Sequence, residues 1–306
     1  MASALSAPHL QNEDAAFAYV EARLWPNGPV CPHCGGTERI GRMGGNATRK
    51  GLHKCYQCRK QFTVRQGTIF ESSHLPLNVW LQAIFLIASS KKGISSQQLH
   101  RMLGCTLKTA WFLGHRIREA MRDGGLDLMG GEGGVVEVDE TFIGRKKDAE
   151  IRASHHHKMA VLSLVHREAG KARSFVIERA NVSTILPIVY ANIDRETYVL
   201  TDEARHYHKQ GLHDDFLGHG TVNHSLGEYG RGRIHTNTIE GYFSIFKRGM
   251  KGVYQWCAEK HLHRYLAEFD FRYSNRMALG CNDGERADRI LSGFVGKRLT
   301  YQQAGA

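Results

Sequence analysis

Three acidic residues stand where phosphodiester chemistry that depends on metal ions would need them. Asp139 and Asp202 each end a short apolar run typical of a β-strand, and Glu240 lies in a stretch with helical spacing. Two strands would bring two carboxylates together at one edge of a sheet, and the later helix would add the third. Carboxylate oxygens are hard ligands that suit Mg²⁺, and two ions about 3.5–4 Å apart stabilise an in-line phosphoryl transfer. The sequence therefore predicts a site for Mg²⁺ (or Mn²⁺) at these three acids.

The helix that carries Glu240 is expected within residues 235–252. Asn237 is the expected N-cap, and Glu240, three residues later, would complete a capping box. One face is apolar, at Ile239, Phe243 and Phe246. A purely structural alternative is that Glu240 only favours the positive end of the helix. The competing candidates for the third metal ligand are Glu137, Glu140 and Glu203.

The C-terminal part of this helix is basic. Lys247 lies two turns beyond Glu240 on the same face, and Arg248 and Lys251 follow it. A carboxylate that holds a cation, followed by positive side chains, suits a DNA phosphate bound through metal. The alternative is that these basic residues only favour the negative end of the helix.

Four cysteines near the N-terminus have the spacing of a structural zinc site. Cys31 and Cys34 form one pair, Cys55 and Cys58 form the other, and twenty residues separate the pairs. Tetrahedral zinc takes four soft ligands, and a gap of two residues lets both thiolates of a pair reach one ion. We expect a zinc ribbon here; a redox dithiol pair or unliganded cysteines are the alternative.

The composition fits a globular protein with a polyanionic partner. The chain has 306 residues, 42% of them hydrophobic and 23% charged, and a formal net charge of +11. Such a charge favours nucleic acid or a membrane surface as the partner. The sequence contains no apolar run of about 18 residues and no signal-peptide pattern at its N-terminus. We therefore expect a cytoplasmic protein with reduced thiols and no transmembrane helix.

Residues 76–124 have the length pattern of a helix-turn-helix segment. Helices are expected at 77–90, from Ser95 or Ser96 to Leu103, and at 107–121, with Gly104 in the turn. The last helix is expected to present polar side chains to DNA phosphates and base edges, at Lys108, Thr109, His115, Arg116 and Arg118. An ordinary packing unit of three helices is the alternative.

The chain is expected to divide at its glycine-rich and polar stretches. The expected parts are a zinc ribbon with a leading helix (12–65), the helix-turn-helix segment (76–124), an α/β core (133–276) and a C-terminal tail (277–306). Residues 66–75 are expected to be a linker.

The core is expected to alternate strands with helices. The expected strands begin at Val135 and span 159–165, 174–177 and 198–201. The expected helices span 182–193 and 203–211. In the first strand, Val136 and Val138 would face one side while Glu137 and Asp139 face the other. An irregular stretch rich in histidine should follow, at His206, His208, His213, His219 and His224.

The ordered set of motifs resembles the zinc-ribbon-bearing insertion-sequence DDE transposases of the ISXO type. The resemblance covers roughly residues 15–276. In the N-terminal part it rests on the four paired cysteines, Phe62, and residues 108–111 and 115–118. In the core it rests on residues 138–141, 201–202, 222–225, 237–240, 247–249, 261–262, 264–265, 271–273 and 275–276.

The resemblance implies a multidomain α+β protein with a ribonuclease H-like catalytic core. Asp139, Asp202 and Glu240 would be the catalytic carboxylates, with Asn237 and Lys247 beside them. The implied activity is magnesium-dependent cleavage at the ends of the insertion sequence, followed by strand transfer into target DNA. The implied partners are the terminal inverted repeats, target DNA and further copies of the chain in a synaptic complex. The implied location is the bacterial cytoplasm, at the nucleoid.

Two other functions are compatible with the same residues. A ribonuclease H-like nuclease would hydrolyse DNA without joining strands, whereas a domesticated regulator would bind DNA without catalysis. The complete set of three carboxylates argues against the regulator, and an assay for strand transfer separates the nuclease from a transposase.

Overall fold

The computed structural model describes residues 3–45, 47–122, 124, 127–151, 154–204, 207, 212–223, 230 and 232–299. The chain forms two compact units, one from Met1–Arg122 with Cys281–Ala306 and the other from Asp123–Gly280. The strands are β1 (Ile40–Arg42), β2 (His53–Cys55), β3 (Gln61–Phe62), β4 (Val135–Ile143), β5 (Met159–His166), β6 (Lys171–Ile177), β7 (Tyr198–Asp202) and β8 (Gly218–Val222). The helices are α1 (Pro8–Gln11), α2 (Glu13–Leu24), α3 (Leu77–Ser89), α4 (Ser96–Leu103), α5 (Leu107–Met121), α6 (Val182–Asn192), α7 (Leu212–Asp215), α8 (Asn237–Gly249), α9 (Glu259–Ser274) and α10 (Asp283–Ser292).

A small antiparallel sheet carries the paired cysteines in the first unit. β2 pairs with β1 on one side and β3 on the other. Asn12 caps α2, because its side chain accepts hydrogen bonds from the backbone N–H groups of Asp14 and Ala15. Gly51 has a φ of +63°, and a side chain at this position would collide with Phe17 of α2. Glycine therefore permits α2 to approach this sheet.

Helices α3, α4, α5 and α10 pack together in the first unit. α5 has the bounds expected from the sequence, and Gly104 ends α4 in the left-handed conformation with a φ of +64°. The expectation of a linker at 66–75 is wrong, because Ile69 and Phe70 are buried. Phe70 packs edge-to-face on Trp80 and also contacts Phe294 near the C-terminus. Most of the other residues in this segment are polar, which favours a linker, but Ile69 and Phe70 fix it to the core of the first unit.

The second unit is built on a five-stranded sheet in the order β6-β5-β4-β7-β8. β4 pairs antiparallel with β5 and parallel with β7, and β8 extends the parallel part. The expected strands and the helix near 182–193 are confirmed. β8 was missed, since it lies in the stretch that we expected to be irregular and contains two glycines.

Apolar side chains cover both faces of this sheet. Val136 and Val138 join a core cluster with Ile185 of α6, whereas Ile143 joins a second cluster with Ile239 of α8. Because side chains alternate along a strand, Glu137 and Asp139 lie on the α8 face, as expected.

Some expectations fall on residues outside the described ranges. These include most of the helix expected at 203–211, the motif residues His224 and Ser225, and the histidines His206 and His208. Within the described ranges, no helix is long and apolar enough to cross a membrane.

Candidate active site and metal centre

Asp139 and Asp202 reach the same edge of the larger sheet. The parallel pairing of β4 with β7 places Glu137 beside Leu200, and each aspartate lies two residues further along its strand. Because side chains alternate with a period of two residues, Asp139 lies on the same face as Glu137, and Asp202 lies on the same face as Leu200. Glu137 and Leu200 are neighbours, so both carboxylates lie on one face of the sheet. Asp202 ends β7, as expected, but Asp139 does not end its strand, because β4 continues to Ile143 through its antiparallel pairing with β5. Asp139 instead lies just beyond Glu137, the last residue of β4 that pairs with β7. Sites in α/β sheets usually form beyond the carboxyl ends of parallel strands.

Asp139 is half-buried among other negative charges. Its Oδ1 accepts a hydrogen bond of 2.7 Å from the backbone N–H of Glu140, and its Oδ2 has no hydrogen-bond partner among the described residues. Burial, and then the charges of Glu140, Asp202 and Glu240, raise the pKa of Asp139 well above its ordinary value. The negative charges of these acids repel one another, and a cation bound between them would offset that repulsion.

Glu240 lies in the first turn of α8 and is exposed. The Thr236 hydroxyl donates a hydrogen bond of 3.2 Å to its Oε1. The expected capping box is wrong, because α8 begins at Asn237 and its N-cap is Thr236, which makes no capping bond through its side chain. Asn237 is the first helical residue and is exposed.

The N-terminus of α8 is instead held by Glu137 of β4. This carboxylate is fully buried, and its Oε2 accepts a hydrogen bond of 2.7 Å from the backbone N–H of Ile239. Its Oε1 pairs with Arg167 at 2.5 Å and lies 3.7 Å from the Nδ1 of His235. Glu137 therefore joins the helix that carries Glu240 to the strand that carries Asp139.

The other competing acids have different surroundings. Glu140 follows Asp139 on the opposite face of β4 and accepts a hydrogen bond from the Tyr207 hydroxyl. Glu203 directly follows Asp202 and is half-buried.

Lys247 shares the neighbourhood of Asp139. Burial lowers the pKa of Lys247, the charge of Asp139 raises it, and Lys251 and Lys158 lower it. Arg248 and Lys251 are exposed beyond it. The structure thus brings Asp139, Asp202, Glu240 and Lys247 into one electrostatic environment, and α8 presents a basic surface beside it.

The four paired cysteines form a compact thiol cluster in the first unit. All four Sγ atoms lie within 4.8 Å of one another, and the Cys31–Cys58 and Cys34–Cys55 pairs are each 3.7 Å apart. A tetrahedral zinc ion with Zn–S bonds of about 2.3 Å would separate its sulfur ligands by about 3.8 Å. The cluster therefore fits structural zinc, and its separations are too long for disulfides, which require about 2.05 Å.

The oxygen atoms of Asp139, Asp202 and Glu240 do not form as compact a group as the four cysteine sulfurs. In the described part of the chain, the cysteines are the one group of three or more His, Cys, Asp or Glu residues whose ligand atoms all lie within 4.8 Å. The carboxylate oxygens of the three acids are the donor type that Mg²⁺ prefers.

The candidate DNA-binding residues of α5 separate into two groups. Lys108 is exposed and Thr109 half-exposed at the start of the helix. Contrary to expectation, His115, Arg116 and Arg118 are buried, at 1%, 4% and 2% exposure. They lie on the part of α5 that packs in the first unit, and these three residues are therefore not presented to DNA in this structure.

Arg116 shows how this burial is achieved. Its guanidinium lies over the rings of Trp80 and Phe112 and donates a hydrogen bond to the carbonyl oxygen of Glu71. Burial lowers the pKa of Arg116 to about 10. Its aromatic surroundings and backbone partner make it a packing residue of the helical segment.

Comparison with known proteins identifies the family. Residues 132–274 match the family model of the ISXO2-like transposase domain, and residues 11–61 match that of the transposase zinc-ribbon domain. Together these two matches support an ISXO2-like transposase family for this chain. The transposase match contains Asp139, Asp202, Glu240 and Lys247, and the zinc-ribbon match contains all four paired cysteines.

One curated protein and one solved structure were also found to be similar to this chain. The chain is 26% identical over 263 residues to an uncharacterized protein in transposable element ISH50 of Halobacterium salinarum, covering 81% of this chain and 86% of that protein. A chain from the simian T-cell lymphotropic virus intasome in complex with PP2A regulatory subunit B56 gamma aligns with a TM-score of 0.29 and 13% identity. That alignment covers 56% of this chain and 63% of the viral complex's chain, and its score is too low to support an argument.

Proposed function

We propose that this chain is a DDE-type DNA transposase that cleaves the ends of its insertion sequence and joins them to target DNA. The observation that carries the proposal is the placement of Asp139 and Asp202 at one sheet edge, with Glu240 and Lys247 within electrostatic reach. The sheet has three antiparallel strands followed by two parallel ones, with apolar cores on both faces. This architecture supports a ribonuclease H-like core.

The three carboxylates would hold Mg²⁺, which when bound supplies activation of the attacking oxygen and stabilisation of the leaving oxygen. Asp139 offers Oδ2 while the backbone N–H of Glu140 fixes Oδ1. Glu240 would approach from α8, whose first turn is fixed by Glu137. Lys247 would contact non-bridging oxygens of the phosphate, and water followed by the freed 3′-hydroxyl would be the two successive nucleophiles.

The first unit would recognise the terminal inverted repeats. Lys108 and Thr109 are accessible at the start of α5, one tight turn after α4. With a net charge of +11, the chain is suited to contacts with DNA phosphates. Arg116 and Arg118 would support α5 from within. Because joining requires two DNA ends to be held together, we propose that at least two copies act in one complex with target DNA.

The experiment is a joining assay with DNA from the two ends of the element. With Mg²⁺, the wild-type protein should yield nicked ends and joined products, and Asp139→Asn should yield neither while still binding end DNA. Asp148→Asn is the matched control, since Asp148 is a highly exposed acid of the same unit. Nicking without joining would instead identify a nuclease, and binding without either reaction would identify a regulator.

A further inference from the structure

An exposed tryptophan lies just beyond the basic end of α8. Trp256 is 73% exposed, more than any other large hydrophobic residue in the described part of the chain. Within the same part, its ring makes no aromatic contact with another side chain. A single exposed apolar side chain is common on protein surfaces, but the backbone around Trp256 is unusual.

The backbone at this point holds Trp256 outward. One turn of π-helix, Met250–Tyr254, follows α8, and Gln255 then adopts a φ of +61° and a ψ of −47°. The N–H of Trp256 donates a hydrogen bond of 2.6 Å to the carbonyl oxygen of Tyr254. Together these features form a γ-turn of the rare, strained type. Both π-helical turns and strained backbone concentrate at functional sites.

The residues on either side of this turn are firmly anchored. The Tyr254 hydroxyl donates a hydrogen bond of 2.6 Å to Glu268, and the Tyr254 ring packs on Tyr265. Cys257 is buried in the core cluster beneath α8. The strained turn is therefore confined to the two residues that present the indole ring.

Trp256 borders a cavity of about 300 Å³ that extends to the end of β4. Its lining combines apolar side chains such as Phe142 and Met250 with the cations Lys158 and Lys251. Lys158, Lys251 and Asp139 all act on the pKa of Lys247, so the cavity lies within electrostatic reach of the proposed active site. An aromatic face beside lysines suits a nucleotide, whereas the centre of a protein–protein interface is usually depleted in lysine.

We propose that Trp256 stacks on a DNA base that has left the duplex next to the cleaved phosphate, while Lys158 and Lys251 contact the neighbouring phosphates. This inference rests on the proposed transposase function, because it assigns a position within the DNA substrate. Stacking requires an accessible face of the base, which a base inside a duplex does not offer. The site should therefore prefer an unpaired nucleotide, with little dependence on its identity.

The experiment compares binding of the full-length protein to a blunt duplex and to the same duplex with a short single-stranded thymidine tail. The wild-type protein should bind the tailed probe more tightly. Trp256→Ala should bind the tailed probe about 5- to 150-fold more weakly with little change on the blunt probe, whereas Trp256→Phe should keep most of the preference. Tyr198→Ala is the matched control, since it removes an exposed aromatic ring at the opposite end of β7 and should behave as wild type.

Three results would overturn the inference. They are equal affinity of the wild-type protein for both probes, an unchanged tail preference in Trp256→Ala, and an equal loss on both probes accompanied by a change in oligomeric state. The last would assign Trp256 to a contact between copies of the chain. Cleavage of end DNA by the wild-type protein, measured alongside, tests the proposed function separately. A protein that prefers the tail through Trp256 but never cleaves would retain this inference and lose the transposase proposal.

Discussion

Replacing Glu137 tests whether this acid is a helix anchor or a metal ligand. The carboxylate is fully buried, accepts the N–H of Ile239 and pairs with Arg167. Alanine would leave the mostly buried Arg167 without this partner, which costs about 3–5 kcal/mol, and would remove the cap of α8, which costs about 1 kcal/mol. Since whole domains are stable by about 5–15 kcal/mol, Glu137→Ala should destabilise the second unit severely.

Glu137→Gln separates the two roles more cleanly. Glutamine keeps an oxygen for the N–H of Ile239 but removes the negative charge opposite Arg167, at an expected cost of about 1–3 kcal/mol. If Glu137 is an anchor, the variant should unfold at lower urea concentration and yet cleave end DNA within about tenfold of the wild-type rate. Urea unfolding and single-turnover cleavage, measured beside Asp139→Asn, decide the matter. A Glu137→Gln protein that is as stable as wild type and as inactive as Asp139→Asn would refute the anchor role.

Two other perturbations probe the ribbon and a buried acid. Cys55→Ser should remove zinc and unfold β1–β3 while the second unit stays folded, because metal-binding energy at such sites is folding energy; full zinc content by elemental analysis would contradict this. Burial raises the pKa of Asp270 from 3.8 to about 6, against hydrogen bonds from Tyr242 and Ser174. The folded protein thus binds this proton more tightly than the unfolded chain, so Asp270 should lower the unfolding free energy by about 3 kcal/mol as pH rises from 3.8 to about 6. Asp270→Asn should flatten that part of the pH curve from urea unfolding, and an unchanged slope would exclude this acid as its source.

Local sequence patterns were sufficient for features that depend on neighbouring residues. The bounds of α5 and the alternation along β4 each depend on a few consecutive positions. The shared sheet edge of Asp139 and Asp202 could also be predicted, because each residue follows a short apolar run, although β4 continues beyond Asp139 to Ile143. The spacing of the cysteines predicted the thiol cluster, because only two residues separate the cysteines of each pair.

Contacts between distant residues decided what the sequence did not predict. Arg116 and Arg118 carry the charges expected of a DNA-binding helix, but α3 and α10 pack on α5, and α10 comes from the far end of the chain. Asn237 has the residue type of an N-cap, yet the acceptor at α8 is Glu137, 102 residues before Ile239. A buried acid beside Asp139 on the same strand face was the available signal for this role, and it equally suited a metal ligand.

The most direct test of the central claim is a count of Mn²⁺ ions bound to the full-length protein, measured by electron paramagnetic resonance. Mn²⁺ takes the oxygen ligands that suit Mg²⁺. The wild-type protein should bind Mn²⁺, and Asp139→Asn, Asp202→Asn and Glu240→Gln should each weaken or abolish that binding, whereas Asp148→Asn should retain it. Equal Mn²⁺ binding by the wild-type protein and all three active-site variants would contradict the account, because these carboxylates would then not hold the metal.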